Sequence, residues 1–244
     1  MTSRPVDSAS WRPASATASE RAATLLDVSG EPRDDFDLLA AWREGDRAAG
    51  QELARRHYKV VRRFITGKLG EEAARDLAQR VFLTLCEKRD DFEGRSSFRT
   101  YLLGIARFKV IETVRKQRGP AGRFDPVEDS VCDPNLEVTL GSLLGKHEHE
   151  RIVVQALHSL ALDDQFLLEL KAVEGMKNRE IAEVLETTTG AIGGKIVRAR
   201  ERLAKAVAQL TEDPMLRTAT DRRLDDWVAS VCAKMSDFEL QAGR

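Results

Sequence analysis

Two stretches of this 244-residue chain gather cationic side chains at spacings that suit a polyanion. In the first, Arg95, Arg99, Arg107, Lys109, Arg115, Lys116 and Arg118 are opposed only by Glu112, and Phe92, Phe98, Tyr101 and Phe108 are interleaved with them. Guanidinium and ammonium groups contact phosphates, and aromatic rings offer faces on which unpaired bases stack. Phe98 and Tyr101 suit core packing equally well, whereas Phe108, between Arg107 and Lys109, is the ring expected to be partly exposed. The second stretch carries Lys195, Arg198, Arg200, Arg202 and Lys205 against Glu201. Either stretch alone also fits a solvated helix face. Together they point to two contacts along one nucleic acid, made mainly through phosphates.

No constellation for bond-making chemistry accompanies them. His147 and His149 lie at a charged helix start, and the three cysteines, Cys86, Cys132 and Cys232, are far apart in the chain. No glycine loop follows a strand, so a phosphate-cradling loop is not expected. The expectation is a protein without catalytic residues, metal site or cofactor: not an enzyme. The net charge of −1 excludes a polycation, so any nucleic-acid site is a local patch. Scattered, odd-numbered cysteines fit reduced intracellular thiols. No apolar run approaches the roughly 18 residues of a membrane span, and the N-terminus lacks the apolar core of a signal peptide. A cytoplasmic location is expected, with no membrane segment.

The elements that must position the two stretches are helices. A charged fraction of 32% and an aromatic fraction of 6% fit a helical protein better than a sheet, and no segment sustains period-two alternation. Residues 1–33, rich in Ser, Ala, Thr and Pro, are expected to be a disordered tail. A helical block follows over residues 34–118, where "DDFDLLAAWREGD" can open on an Asp cap. Leu53, Val60, Val61 and Phe64, then Leu77, Val81, Phe82 and Leu85, recur at helical spacing. Residues 119–147 lose the pattern and read as a flexible linker between domains.

A second helical block spans residues 148–210. "NREIAEVLE" predicts a short helix with Asn178 as its cap, followed after a turn by a long helix from "TTTGAIGGKIVRARERL". A short helix, a tight turn and a longer helix with basic residues off its apolar stripe make a helix-turn-helix pattern. Ile192, Ile196, Ala199, Leu203, Ala206 and Leu210 form that stripe. Gly190, Gly193, Gly194, Arg198 and Lys205 lie on other faces of the wheel. Beyond it, residues 211–244 carry Leu224, Trp227, Val228, Val231, Met235 and Phe238 at helical spacing after Thr220. This C-terminal amphipathic helix either packs on the chain's own helical domains, or masks a polymerase- or DNA-binding surface, or receives a partner.

The order of these blocks resembles the extracytoplasmic-function sigma factors of bacterial RNA polymerase, which keep the two domains called sigma2 and sigma4. "LLAAWREGDRAA", "DLAQRVFLTL" and "FEGRSSFRTYLLGIAR" carry the likeness in the first block, and "EGMKNREIAEVL" and "GAIGGKIVRARERL" in the second. The resemblance implies an all-α protein of two small helical domains that directs core polymerase to promoters and assists melting of the −10 element. It implies that Asp76, Gln79 and Phe82 dock on the clamp helices of the largest polymerase subunit. It assigns Phe92, Gly94, Ser96, Ser97, Arg99, Tyr101, Arg107, Phe108, Lys109 and Arg115 to the −10 element. Thr188, Thr189, Gly193, Gly194, Lys195, Arg198 and Arg202 would read the −35 duplex in the major groove. The implied partners are core polymerase, including the flap of its second-largest subunit, promoter DNA and, in some members, an anti-sigma factor.

Several positions depart from the family pattern. Tyr101 stands where Trp is usual, Phe108 where Asn is usual, Glu112 for Asp, and Arg80 for an acid after the docking Gln. Phe108 exchanges an amide that can bond a base edge for a ring that can only stack or pack. Gly193 and Gly194 replace a cation and a serine on the groove-facing side, which predicts fewer direct base contacts. A stand-alone helix-turn-helix regulator would account for the second block only. A degenerate sigma-like interaction protein would account for the glycines.

Overall fold

The computed structural model describes residues 33–118, 123–131, 148–217 and 223–230, all helix, turn or extended connection, with no strand among them. The expected tail, apart from Arg33, lies outside the described residues, as do Thr220, Val231, Met235 and Phe238. Two compact units are present, one ending at Ala54 and one beginning at Arg55.

In the first unit, α1 (Asp35–Arg43) starts where expected. Asp34 is extended, and its carboxylate accepts the N–H groups of Phe36 and Asp37, both at 2.8 Å. That satisfies two donors the first turn would otherwise leave unpaired. Gly45 turns the chain with φ +109°, and Asp46 caps α2 (Arg47–Leu69) by accepting from Ala48 and Ala49. Gly50 faces the Trp42 indole so closely that a Cβ there would sit 2.6 Å from the ring, so only glycine fits. Leu38, Leu39, Ala49 and Leu53 are buried.

The second unit begins inside α2. Gly70, at φ +76°, separates α2 from α3 (Glu71–Lys88), which buries Leu77, Val81 and Leu85 against α4 (Phe98–Arg118). The Ser97 hydroxyl starts α4 by accepting the Thr100 N–H at 3.1 Å. The later helices are α5 (Glu148–Ser159), α6 (Leu162–Ala172), α7 (Asn178–Val184), α8 (Thr189–Leu210) and the short α9 (Pro214–Arg217). Helix α8 packs on α5, α6 and α7, with Ile192, Ile196, Ala199 and Leu203 buried as the wheel predicts. Leu210, expected on the same stripe, is exposed at the helix end. Helix α7 in turn packs on α4. Residues 55–118 and the helical block that starts at residue 148 therefore lie together in one compact unit.

Two local expectations are corrected. Asn178 is the first residue of α7 rather than its cap. The cap position is Lys177, whose N–H is taken by the Glu180 carboxylate at 2.8 Å. A glutamate one turn in thus reaches back to the N–H of the cap residue, the reciprocal half of a capping box. Residues 123–131, within the expected flexible linker, are held against the start of α6. The Leu162 N–H donates to the Asp129 carbonyl at 2.9 Å and the Asp163 N–H to Pro126 at 2.8 Å. Phe124 is buried there, with the Arg118 guanidinium 4.7 Å from its ring centroid. The exposed N–H groups of a helix start need acceptors, and this segment supplies two.

Candidate nucleic-acid and polymerase interfaces

The residues assigned to polymerase docking share one face of α3. Asp76 and Gln79 are exposed and Phe82 is half-buried, its ring stacked on Tyr58 at 6.0 Å between centroids. Leu83 beside them is 58% exposed. Polar groups beside an apolar edge make a surface able to bury area against a partner while fixing its register.

The residues assigned to the −10 element divide. Gly94 (φ +72°) and the flanking loop are exposed, as are Phe108 and Arg115. Phe108 is 59% exposed, with the Lys109 ammonium 5.7 Å from its ring centroid, and Lys109 also pairs with Glu112 at 3.1 Å. This is a stacking platform with a cation beside it. Ser96 is half-buried. Ser97 spends its hydroxyl on the Thr100 amide and hydroxyl. Phe92 is only 5% exposed, packed at 4.8 Å from Tyr101 and edge-on to Phe98, so it offers no ring face to a base here. The Tyr101 hydroxyl donates to the Lys88 carbonyl at 3.3 Å.

Arg99 and Arg107 are not free cations. Arg107 is buried, and its Nε and Nη2 donate to Asp163 Oδ1 at 3.2 and 2.9 Å. Arg99 pairs with Glu174, which also binds Arg63. Burial first, and the neighbouring Arg63 guanidinium second, lower Arg99 from the ordinary arginine range. Lys68, buried, pairs with Glu169 and lies 4.6 Å over the Phe64 ring. Phe64 itself stacks on Phe166 of α6 at 4.8 Å. The positive patch read from the first block is thus partly spent on carboxylates of the second. Sequence reasoning missed Asp163, Glu169 and Glu174, because nothing in local spacing pairs residues 56 and 101 positions apart.

The residues assigned to the −35 duplex mostly face solvent. Thr188 is extended before α8, and Thr189, Gly190, Gly193, Gly194 and Arg198 are exposed, with Lys195 half-buried. Nothing lies within 4 Å of a Cβ added at Gly190 or Gly193, whereas one at Gly194 would sit 3.2 Å from Arg198 Nη1. The bare backbone of Gly194 lets the Arg198 guanidinium lie back along the helix. Arg202 pairs with Asp164 of α6, and Arg200 with Asp225 in the helical segment 223–230. In that segment Leu224 and Val228 are buried and Trp227 half-buried, and among the described residues the glycine-bearing face of α8 is uncovered. Among the described residues, no cluster of three or more His, Cys, Asp or Glu is placed to hold a metal, and no helix is long and apolar enough to cross a membrane.

Comparison with known proteins places both blocks. Sigma-70 region 2 matches residues 53–119, and Sigma-70, region 4 matches residues 150–203. The ECF RNA polymerase sigma factor SigX of Bacillus subtilis is 31% identical over 144 residues, covering 57% of this chain and 73% of that protein. The ECF RNA polymerase sigma-E factor of Haemophilus influenzae is 26% identical over 190 residues, 74% of this chain and 98% of that one. Among solved structures, the sigma factor RpoE in complex with the anti-sigma factor NepR from Bartonella quintana aligns over 64% of this chain and 95% of its own, at 21% identity and TM-score 0.49.

Proposed function

Because the chain belongs to the extracytoplasmic-function RNA polymerase sigma factors and acts in promoter-specific transcription initiation, we propose that its three surfaces divide that task. Asp76, Gln79 and Phe82 bind the clamp helices of the largest polymerase subunit. The loop at Gly94–Ser96, with Phe108, Lys109 and Arg115, receives the −10 strand, joined by Arg99 and Arg107 once these are released from their carboxylates. The exposed face of α8 meets the −35 duplex, with Lys195 and Arg198 as its main side-chain contacts. Residues 34–118 act as the sigma2-like domain and 148–210 as the sigma4-like domain, which also meets the polymerase flap. The protein works in the cytoplasm without bond-making chemistry of its own, and an anti-sigma factor is its natural regulator.

The observation that carries this reading is the exposure of the glycine-bearing face of α8 while its apolar stripe is buried. A recognition helix needs that division, since its groove side must reach DNA while the other side holds the fold. Two exposed glycines in place of longer side chains let backbone approach phosphate and leave little to read base edges. Arg198→Ala tests it: duplex affinity at fixed salt falls and the salt slope drops by about one phosphate contact, with polymerase binding unchanged. Unchanged duplex affinity would remove α8 as the reader.

A further inference from the structure

An apolar side chain stands in the middle of the exposed face of α8. Val197 is 51% exposed, while Ile192, Ile196, Ala199 and Leu203 on the other side of the helix are buried. A lone exposed valine is ordinary on a protein surface, but the surroundings of this one are not. Gly194, Gly193 and Gly190 lie three, four and seven residues before it and so share its face. Helix side chains lean toward the N-terminus, which sets the Val197 methyl groups over the turn that carries Gly193 and Gly194. A Cβ added at Gly190 or Gly193 would meet nothing within 4 Å, and one at Gly194 would meet only the Arg198 guanidinium. Arg198 and Lys205 are exposed on one flank of this line, and Glu201 is exposed on the line itself, one turn further on. An acid there repels phosphate, so the line suits base edges and leaves phosphates to the flanking cations.

We infer that Val197 is a specificity-determining residue, packing its methyl groups on the C5-methyl of a thymine in the major groove of the −35 duplex. This rests on the reading of α8 as the helix that meets that duplex. The thymine methyl is the apolar group that the major groove displays, and an apolar side chain is its natural contact. A valine is too short to reach it from a helix held off by long neighbours. With glycine at three positions on its face, the leading half of α8 can sit deeper in the groove by the side chains it lacks. Val197 then reaches further than the turn before it. The exposed cations beside it fix the helix on the phosphates, a contact that carries no sequence information. The glycines therefore concentrate the reading of sequence on one apolar contact, which selects thymine by its methyl.

The test uses holoenzyme, reconstituted from core polymerase and the full chain, and a site that it selects from a randomised duplex library. Each thymine of that site is replaced in turn by deoxyuridine, which removes the methyl and keeps every hydrogen bond. At one or two positions the replacement is expected to weaken wild-type binding about fourfold at fixed salt, the worth of burying one methyl group. Val197→Ala is expected to bind the thymine site more weakly by a similar factor, and to bind the thymine and deoxyuridine duplexes alike. Thymines read elsewhere in holoenzyme lose the same amount in both chains, so the cycle isolates the pair. The variant trades an exposed valine for a better helix former, so its urea midpoint is expected to stay at or above that of the wild type. Equal deoxyuridine losses in wild type and Val197→Ala at every thymine would overturn the inference. Arg198→Ala separates the two failures. If it weakens binding to the selected site while no thymine tells wild type from Val197→Ala, the inference falls and the reading of α8 stands. If it also leaves binding unchanged, both fall.

Discussion

Acid should weaken the packing between the two helical blocks through one histidine. His158 is buried at the junction, donates Nε2–H to the Gly67 carbonyl, and has its pKa lowered from 6.5 to about 4. Burial is the main cause and the Lys68 ammonium adds to it, against the Gly67 bond, which favours the protonated ring. The unfolded chain takes up this proton near pH 6.5, and the folded chain only near pH 4. Between those values the unfolded state holds more protons, so stability falls as pH falls through that window and levels off below it. A difference of roughly 2.5 units at 1.36 kcal/mol each is about 3 kcal/mol in full, of which about 2 kcal/mol is lost by about pH 5. Urea unfolding of the wild type and of His158→Gln at about pH 7.5 and about pH 5 isolates this term from the other titrating groups. The wild type should lose about 2 kcal/mol more than the variant over that interval, whatever the variant's own starting stability. Equal losses in the two chains would refute the assignment.

Other outcomes follow from single contacts. Gly193→Ala should stabilise the chain by about 1 kcal/mol, since the new methyl meets nothing within 4 Å in a helix interior, yet lower duplex affinity by blocking close approach. Urea unfolding and duplex titration read the two effects, and stabilisation without loss of affinity would mean that the bare backbone is not used. Phe108→Ala should change stability by less than about 0.5 kcal/mol, because the ring is 59% exposed. The same change in holoenzyme should cost about 1–3 kcal/mol of binding to a −10 single strand, the worth of one stacking ring, and a smaller loss would leave Phe108 without that role.

Much of this was legible from periodicity. Leu77, Val81 and Leu85 on α3, and Ile192, Ile196, Ala199 and Leu203 on α8, are buried because an amphipathic stripe needs only local spacing to find its inner side. The Asp34 cap and the exposed glycine face of α8 were legible for the same local reason. The fate of the basic patch was not. Arg99 and Arg107 look like solvent-facing cations in sequence, and their acidic partners Glu174 and Asp163 lie beyond a 29-residue interval, too far along the chain for any local pattern to pair them. The burial of Phe92 was not legible for a related reason: its place among Phe98 and Tyr101 depends on how the loop folds back, not on its neighbours in the chain. Local spacing finds faces, and long-range pairing decides which of them are open.

Run-off transcription with core polymerase on a promoter library tests the central claim most directly. Core plus this chain should yield defined transcripts from a restricted set of promoters that core alone does not use, and Asp76→Ala with Gln79→Ala should abolish them. Transcripts identical with and without the chain would contradict the account.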